Sequence, residues 1–132
     1  MKKSIIVLLV LLSTLLVFTG CGKKKDKKLD IEVNTEEEVI KDQEVDGLKL
    51  TNTSLTKVDN NWTLVTEVSN NTGADYVLDE FTIIIKDADG NILTSIPGYV
   101  GGTIPNGETR TINSSTIRDL SKAAKVEYEV KK

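Results

Sequence analysis

The side chains that most often carry chemistry in proteins are scarce in this sequence. It contains no histidine and one cysteine, Cys21. Histidine is the commonest general base and metal ligand, and a thiol nucleophile normally needs such a base beside it. The acid and base candidates that remain are two pairs of carboxylates, Asp79 with Glu80 and Asp87 with Asp89. What these carboxylates and Cys21 can do depends on the elements that hold them.

Neither carboxylate pair has the arrangement of a catalytic acid and base. Neighbouring residues on a strand point to opposite faces, so Asp79 and Glu80 cannot reach one substrate together. The segment Asp-Ala-Asp-Gly-Asn at residues 87–91 has part of a calcium-loop pattern, but it lacks the further oxygen ligand and the bidentate glutamate of an EF-hand. A hairpin turn explains the same residues. We therefore predict that the protein is not an enzyme and has no metal site and no cofactor.

Cys21 ends a segment that has the composition of a secretory signal. The chain starts with Met-Lys-Lys, continues with a 14-residue apolar run at residues 5–18 that only Ser13 and Thr14 interrupt, and then has small residues up to Cys21. This is the three-part pattern of a signal peptide. An uncleaved membrane helix would need about 20 apolar residues, which is more than this run provides. We expect residues 1–20 to be a signal peptide.

The residues before Cys21 give this cysteine a specific chemistry. Phe-Thr-Gly-Cys at residues 18–21 resembles the lipobox of bacterial lipoproteins, with Phe18 where that family usually has leucine. The resemblance implies that diacylglycerol is attached to the Cys21 sulfur and that cleavage falls between Gly20 and Cys21. Two acyl chains hold a protein on a bilayer, whereas one chain binds reversibly. The implied location is the extracytoplasmic face of the cell membrane, and the lysines that follow favour a single-membrane, Gram-positive-type cell.

A charged segment separates Cys21 from the rest of the chain. Five lysines lie within residues 23–28, where each can add about 1 kcal/mol of attraction to anionic lipid. Nine acidic residues follow between positions 26 and 46. Such a composition buries too little apolar surface to offset its ordering entropy, which predicts a disordered, lipid-anchored tether over residues 21–46. The alternation of Leu29, Ile31 and Val33 leaves open one added strand.

From residue 47 onward, short runs rich in Val, Ile and Thr alternate with clusters of Asn, Asp and Gly. Apolar side chains recur at every second position, which predicts strands with one buried face. The clearest runs are Trp62, Leu64, Thr66 and Val68; Phe81, Ile83 and Ile85; and Val126, Tyr128 and Val130. Asn52 predicts a bend, and residues 118–124 alone read as a helical turn.

About seven strands at a spacing of about ten residues, without a long amphipathic helix, predict an all-β fold. The expected architecture is a single immunoglobulin-like antiparallel β-sandwich over residues 47–132. A domain of this size has room for one modest core. Trp62 and Tyr128 are its expected large members.

Three segments of this domain resemble one family. "VTEVSNNTG", "IIIKDADGN" and "IPNGET" occur in the order seen in the FxLYD-like immunoglobulin-fold domains of bacterial lipoproteins. The naming motif itself departs, since Ile83, Ile85 and Lys86 stand where that family favours Phe, Leu and Tyr. The resemblance implies an extracytoplasmic sandwich and brings no agreed activity with it.

Two places in the domain have the composition of a contact surface. Tyr99 and Val100 lie in the glycine-rich segment "SIPGYVGGTI", where an aromatic side chain and an adaptable backbone often serve binding. The alternative is a bulge at residues 101–102 with Tyr99 packed beneath it. Ile84 is the second candidate, because it points away from the Ile83 face and is exposed unless another element covers it.

The charge balance limits the choice of partners. From Cys21 onward the chain has 15 basic and 20 acidic side chains, a formal charge of −5, and no basic patch with interleaved aromatics. We therefore expect no nucleic acid partner. The sequence predicts a non-enzymatic binding module at the bacterial surface, with the membrane as one partner and an unknown protein or cell-wall component as the other. The alternative is a small-ligand or metal-binding accessory lipoprotein of the cell envelope.

Overall fold

Segments rich in Val, Ile and Thr form strands wherever their alternation predicts one buried face. The structure, a computed structural model, describes residues 30–131. The predicted signal peptide at residues 1–20 and the predicted lipidation site Cys21 lie outside the described residues. The elements are, in chain order, β1 (Ile31–Asn34), α1 (Glu37–Ile40), β2 (Gln43–Val45), β3 (Leu48–Val58), β4 (Asn61–Asn70), β5 (Tyr76–Lys86), β6 (Ile92–Ile104), β7 (Thr109–Thr116) and β8 (Lys125–Val130).

These strands form two antiparallel sheets that pack face to face. One sheet has the order β1-β3-β4-β7, with β2 also paired to β3, and the other has the order β6-β5-β8. The core between them includes the inward side chains of β4, β5 and β8. The rings of Phe81 and Tyr128 meet edge to face there, with centroids 5.7 Å apart. The predicted all-β antiparallel sandwich is confirmed, and so is the burial of Trp62 and Tyr128.

β6 continues through the Pro-Gly pair at residues 97–98, although such a pair in a sequence usually marks a turn. It lies at the outside of its sheet, so the missing N–H of Pro97 costs no ladder hydrogen bond on the free side. Gly98 faces the core, where a Cβ atom would lie only 2.8 Å from the Phe81 ring. Pro97 is therefore tolerated because β6 is an outer strand, and Gly98 leaves the space in which the Phe81 ring packs.

Two irregular points in the strands lie where the sequence places them. Asn52 has a φ of 51°, and the β3–β4 register shifts between Thr51 and Ser54. Gly101 has a φ of 87°, and the β5–β6 register shifts in the same region, opposite residues 78–80. Both are bulges that increase the local twist of their strands. The predicted bend and the predicted glycine bulge are confirmed.

Residues 30–46, which we call the N-terminal arm, are folded onto the sandwich. β1 pairs with β3 from Ile31 opposite Val58 onward, and β2 pairs with the start of β3. Val39 of α1 is fully buried in the core. The prediction of a disordered tether is therefore wrong over these residues, and the added strand that the alternation of Ile31 and Val33 left open is present as β1. Backbone pairing with β3 and the buried Val39 provide much of this attachment, and neither leaves a strong periodic pattern.

The arm also closes one side of the sandwich against β8, which is the outer strand of the opposite sheet. Asn34 Nδ2 donates to the backbone oxygen of Ala123 at 2.8 Å. Gln43 Nε2 donates to the backbone oxygen of Val126, also at 2.8 Å. We call this side the arm–β8 seam. In this seam, amide side chains of the arm donate to backbone carbonyl groups at the start of β8 and in the loop before it.

The opposite side of the sandwich is closed in the same manner. There β7 lies against β6, and Ser114 Oγ donates to the backbone oxygen of Pro97 at 2.8 Å. Arg110 Nη1 donates to the backbone oxygen of Val100 at 2.9 Å. We call this side the β6–β7 seam. Both sides of the sandwich therefore use side-chain donors to satisfy carbonyl groups that the sheet ladders leave unpaired.

The connecting segments gather at two ends of the sandwich. The near pole holds the β3–β4 turn, the β5–β6 hairpin and the β7–β8 loop at residues 117–124. The far pole holds the β2–β3, β4–β5 and β6–β7 connections. Asp59 N donates to the backbone oxygen of Asp30 at 2.8 Å, so the described chain begins beside the β3–β4 turn of the near pole.

The β7–β8 loop differs from its predicted form. Residues 118–124 contain a turn, in which Ala123 N donates to Leu120 O at 3.0 Å, but no helical segment. The one helix within residues 30–131 is α1, whose four residues are far too few to span a bilayer. Leu120 is fully buried and fixes the loop to the core.

Candidate functional site

Side-chain hydrogen bonds close the far pole around Asn70. This residue is fully buried at the end of β4, and its Nδ2 donates to the backbone oxygens of Ala74 and Ile104, both at 2.8 Å. Its Oδ1 accepts from the backbone N–H of Thr72 at 3.1 Å and from the Thr72 hydroxyl at 2.7 Å. Every polar atom of the amide is thus committed to the loops, which leaves it nothing to offer a ligand.

A second far-pole contact joins the arm to β5. The Tyr76 hydroxyl donates to the carboxylate of Asp46. Burial, together with this carboxylate, raises the pKa of Tyr76 to about 12. Both the hydrogen bond and the charge favour the neutral phenol, so the contact holds throughout the physiological pH range.

The near pole, in contrast, has three surface hollows. The largest, about 630 Å³, lies between the β3–β4 turn and the β7–β8 loop, and the others measure about 400 and 220 Å³. Trp62, only 4% exposed, forms a wall of both the largest and the smallest hollow. All three are open rather than enclosed, so they offer contact surface but do not remove a ligand from water.

The rim of the largest hollow combines an apolar side chain with charges. Ile117 is 85% exposed, the highest value among the large apolar side chains of residues 30–131. Lys57, Arg118 and Asp119 line the same hollow. Lys57 lies 3.4 Å from a carboxylate oxygen of Asp30, so part of its charge is already balanced. Hydrogen bonds from Ser121 hold the pKa of Asp119 below its usual range.

The two residues of the predicted glycine-rich contact surface point in opposite directions. Tyr99 is 69% exposed on the outer face of the three-stranded sheet, where it stands opposite Glu80 of β5. Val100 is buried in the core, so its prediction as an interaction residue is wrong. The alternative in which Tyr99 packs beneath the glycine bulge is also wrong. Alternation along β6 separates the neighbours: Gly98 and Val100 face inward, and Tyr99 between them faces out.

Ile84 lies on the same outer face, but it is half-buried rather than exposed. Its neighbours in the ladder are Ser95 on β6 and Glu127 on β8, and their side chains flank it. A more exposed apolar residue, Val77, lies on this face at 79% exposure and was not among the sequence candidates. Because Val77 lies at the start of β5 beside a turn, the sequence did not indicate whether its side chain faces the core or the solvent.

The candidate carboxylates serve turns and surfaces. Asp87 Oδ1 accepts from the backbone N–H of Asp89 at 3.0 Å and of Asn91 at 2.9 Å, and these bonds from Asn91 and Asp89 lower its pKa. The predicted hairpin turn at residues 87–91 is confirmed. Within residues 30–131, no three His, Cys, Asp or Glu side chains are grouped so that they could hold a metal ion.

The interior contains a hydroxyl cluster that the sequence did not single out. Thr53 and Thr66 are buried and bonded to each other through their hydroxyls at 2.8 Å. The Tyr128 hydroxyl is also buried, and it has no hydrogen-bond partner within the described chain. Burial raises the pKa of Tyr128, and the nearby threonine hydroxyls offset this only in part. The adjacent cavity beside Phe81 measures about 10 Å³, room for one water at most.

The charge of the chain is divided sharply along the sequence. Residues 30–131 carry nine basic and 19 acidic side chains, a formal charge of −10. Residues 21–29 carry five lysines and one aspartate, a formal charge of +4. The folded part therefore repels anionic surfaces, whereas the segment that precedes it attracts them.

No protein-family model, no curated protein and no solved structure matches this chain. The candidate surfaces consequently rest on exposure, contacts and charge. Two of them stand out among the described residues: the outer sheet face with Tyr99 and Val77, and the near pole with Ile117.

Proposed function

We propose that this protein is a lipid-anchored, extracytoplasmic protein that presents its β-sandwich as a non-enzymatic binding module at the bacterial cell surface. The observation that carries the proposal is Tyr99, a large aromatic side chain held 69% exposed on a rigid strand of the outer sheet face. Aromatic side chains on rigid elements are the usual anchors of protein interfaces.

The membrane anchor in this proposal is diacylglycerol on Cys21. The lipobox resemblance at residues 18–21 supports it, and so does the +4 charge of residues 21–29, which favours anionic headgroups. Cys21 precedes Asp30 by nine residues, so the folded domain stays close to the anchor. The prediction of an outer face in a Gram-positive-type cell forms part of this proposal.

The partner surface in this proposal is the far half of the outer sheet face. Tyr99 lies past the midpoint of β6, and Val77, at 79% exposure, starts β5 on the same face. The domain charge of −10 favours a neutral or cationic partner, because an anionic wall polymer would be repelled. The partner is therefore a protein or wall component that accepts an aromatic side chain without carrying strong negative charge.

A small-ligand accessory lipoprotein is the second candidate. Its support is the largest near-pole hollow, about 630 Å³, whose lining includes Lys57 and Arg118. The ligand in that case would be a small organic anion rather than a metal ion. Loss of a thermal shift by such a ligand in Arg118→Ala would support this candidate over the first.

The anchor is tested with Cys21→Ser in intact cells. We expect the variant to accumulate as an unprocessed precursor or to be released into the medium, and to incorporate no labelled fatty acid. Wild-type protein should fractionate with the membrane. If Cys21→Ser is processed and fractionates like wild type, the lipoprotein proposal is wrong.

The binding surface is tested by crosslinking in intact cells with Tyr99→Ala. We expect capture of the partner to fall at least about tenfold, as for a central aromatic at an interface. Ile92→Ala is the matched control, because Ile92 lies on the same strand with 63% exposure but near the hairpin at the other end. Equal capture by both variants would contradict the role of Tyr99.

A further inference from the structure

We propose that the near pole faces the bilayer and that Ile117 contacts the lipid surface there. This inference rests on the proposed lipid anchor at Cys21 and adds to it an orientation of the folded domain. The ligand class is the headgroup and upper acyl region of a phospholipid bilayer.

The position at which the described chain begins supports this orientation. Asp30 is hydrogen-bonded to Asp59 in the β3–β4 turn, so the segment that leads to Cys21 leaves from the near pole. Asp30 lies nine positions after Cys21, and a chain of that length reaches at most about 30 Å. The ten residues of β4 alone extend the sandwich by about 33 Å toward the far pole. The near pole therefore stays within about 30 Å of the anchor, whereas the far pole can lie about twice as far from it.

The surface chemistry at this pole fits a lipid contact. Ile117 follows the last residue of β7 and stands 85% exposed at the rim of a hollow whose floor includes Trp62. Arg118 is the next residue, and Lys57 lines the same hollow, so cationic groups flank the apolar tip. An apolar tip with a flanking cation is the pattern of interfacial membrane contacts.

The contact need only be weak, because the anchor has already brought the domain to the surface. Tethering gives the second contact a high effective concentration, so one inserted isoleucine can bias the orientation without binding membranes by itself. The carboxylates of Asp30, Asp59 and Asp119 lie at the same pole, so the contact through Ile117 is apolar rather than anionic-lipid specific. Attraction to anionic lipid comes from residues 23–28 instead.

This orientation presents the proposed partner surface to the outside. β6 runs from the near-pole hairpin toward the far pole, so Tyr99 lies in the half of the sandwich that is remote from the bilayer. A domain that tumbled freely would bring Tyr99 against the lipid for part of the time. Contact at Ile117 avoids this.

The experiment uses full-length lipidated protein in vesicles of phosphatidylglycerol and phosphatidylcholine with a headgroup-borne quencher. Lipidation blocks Cys21, so one introduced cysteine carries a fluorophore at either pole. Asn60→Cys reports on the near pole, where Asn60 lines the hollow beside Ile117, and Asn71→Cys is the matched far-pole control. We expect quenching at Asn60 to be several-fold stronger than at Asn71. The difference should shrink when Ile117→Ser is added but persist with Val77→Ser, a change at an exposed apolar residue of the far pole.

Three outcomes would overturn the inference. Equal quenching at the two poles, with the protein still floating with the vesicles, would mean that the anchor holds but the domain has no preferred orientation. Stronger quenching at Asn60 that Ile117→Ser leaves unchanged would mean that the tether alone orients the domain. Loss of a crosslinked protein partner in cells with Ile117→Ser, without a change in quenching, would assign Ile117 to that partner. Protein that fails to float at all shows instead that the lipid anchor itself is absent.

Discussion

The two poles of this sandwich are built in different ways. The far pole is closed by polar side chains, above all by Asn70, whose amide satisfies four backbone or hydroxyl groups of the adjoining loops. The near pole is fixed by apolar side chains such as Leu120, and it keeps three open hollows. The amide of Asn70 at the far pole is fully hydrogen-bonded within the fold, whereas the near pole keeps open surface that a partner can contact.

This contrast indicates where substitutions can be tolerated. A buried amide that has all of its partners cannot be replaced without leaving other buried groups unpaired. An apolar anchor can be shortened at the cost of a cavity, and exposed residues beside it can change freely. We therefore expect the far pole to be sensitive to single changes in polarity and the near pole to be most sensitive at its few buried positions.

The largest expected effect is that of Asn70→Ala. The substitution leaves the carbonyl of Ile104 and the loop groups at Thr72 and Ala74 without their partner, so we expect the free energy of unfolding to fall by about 4 kcal/mol. Urea denaturation followed by tryptophan fluorescence measures it. Asn71→Ala, at the exposed neighbouring position, is the control and should change stability by less than about 0.5 kcal/mol. A small effect of Asn70→Ala would remove the claimed difference between the poles.

A smaller effect is expected from Leu120→Ala at the near pole. Leu120 is fully buried, and its truncation should lower the free energy of unfolding by about 3 kcal/mol through lost burial and a residual cavity. The same denaturation measurement applies. Because the β7–β8 loop carries Ile117, the variant should also become more sensitive to proteolysis in residues 117–124. Unchanged proteolysis would show that the loop is fixed by something other than Leu120.

The smallest effects on stability are those of pH. The near-pole contribution of Asp87 should be lost on acidification, and the far-pole contribution of Tyr76 should be lost on alkalinisation. The lowered pKa of Asp87 at the near pole means that its contribution to stability is complete above the ordinary aspartate pKa of about 4 and is lost as pH falls through the lower folded value. The raised pKa of Tyr76, about 12, means that its contribution is complete below the ordinary tyrosine pKa and is lost as pH rises through the folded value.

Asp87→Asn and Tyr76→Phe test these two titrations. The stability difference between wild type and Asp87→Asn should shrink on acidification, and that between wild type and Tyr76→Phe should shrink on alkalinisation. Denaturation midpoints across the pH range supply both profiles. Parallel profiles for wild type and either variant would mean that the side chain does not couple to folding as described.

Much of the fold follows from alternation in the sequence, and the failures have definite physical reasons. The strands that contain Trp62 and Phe81 bury one face and leave a clear pattern of period two. The N-terminal arm has only a short alternation at Ile31 and Val33, whose side chains stay 56% and 61% exposed, and it is held mainly by backbone pairing and by the buried Val39. The contribution of Asn34 and Gln43 to the arm–β8 seam depends on tertiary geometry alone.

The candidate surfaces, like the fold, could be predicted from the sequence only in part. Tyr99 could be proposed from its type and its glycine-rich context, and its exposure agrees with that proposal. Val100 could not be separated from it, because which of two neighbours faces the core depends on the phase of the strand across a bulge. Ile117 was missed, since an isoleucine after a Ser-Thr run reads as one more strand residue. Only the end of β7 at Thr116 leaves it exposed.

The two seams have a consequence for how such molecules behave side by side. The outer strand of a sheet usually offers a row of free carbonyl and N–H groups to any neighbouring chain. Here the carbonyls of Pro97 and Val100 are already bonded to β7, Pro97 has no N–H to offer, and the carbonyl of Val126 is bonded to the arm. These occupied groups leave β6 and β8 fewer backbone positions through which copies of the domain could join edge to edge, so contacts with a neighbouring chain along these strands depend more on side chains.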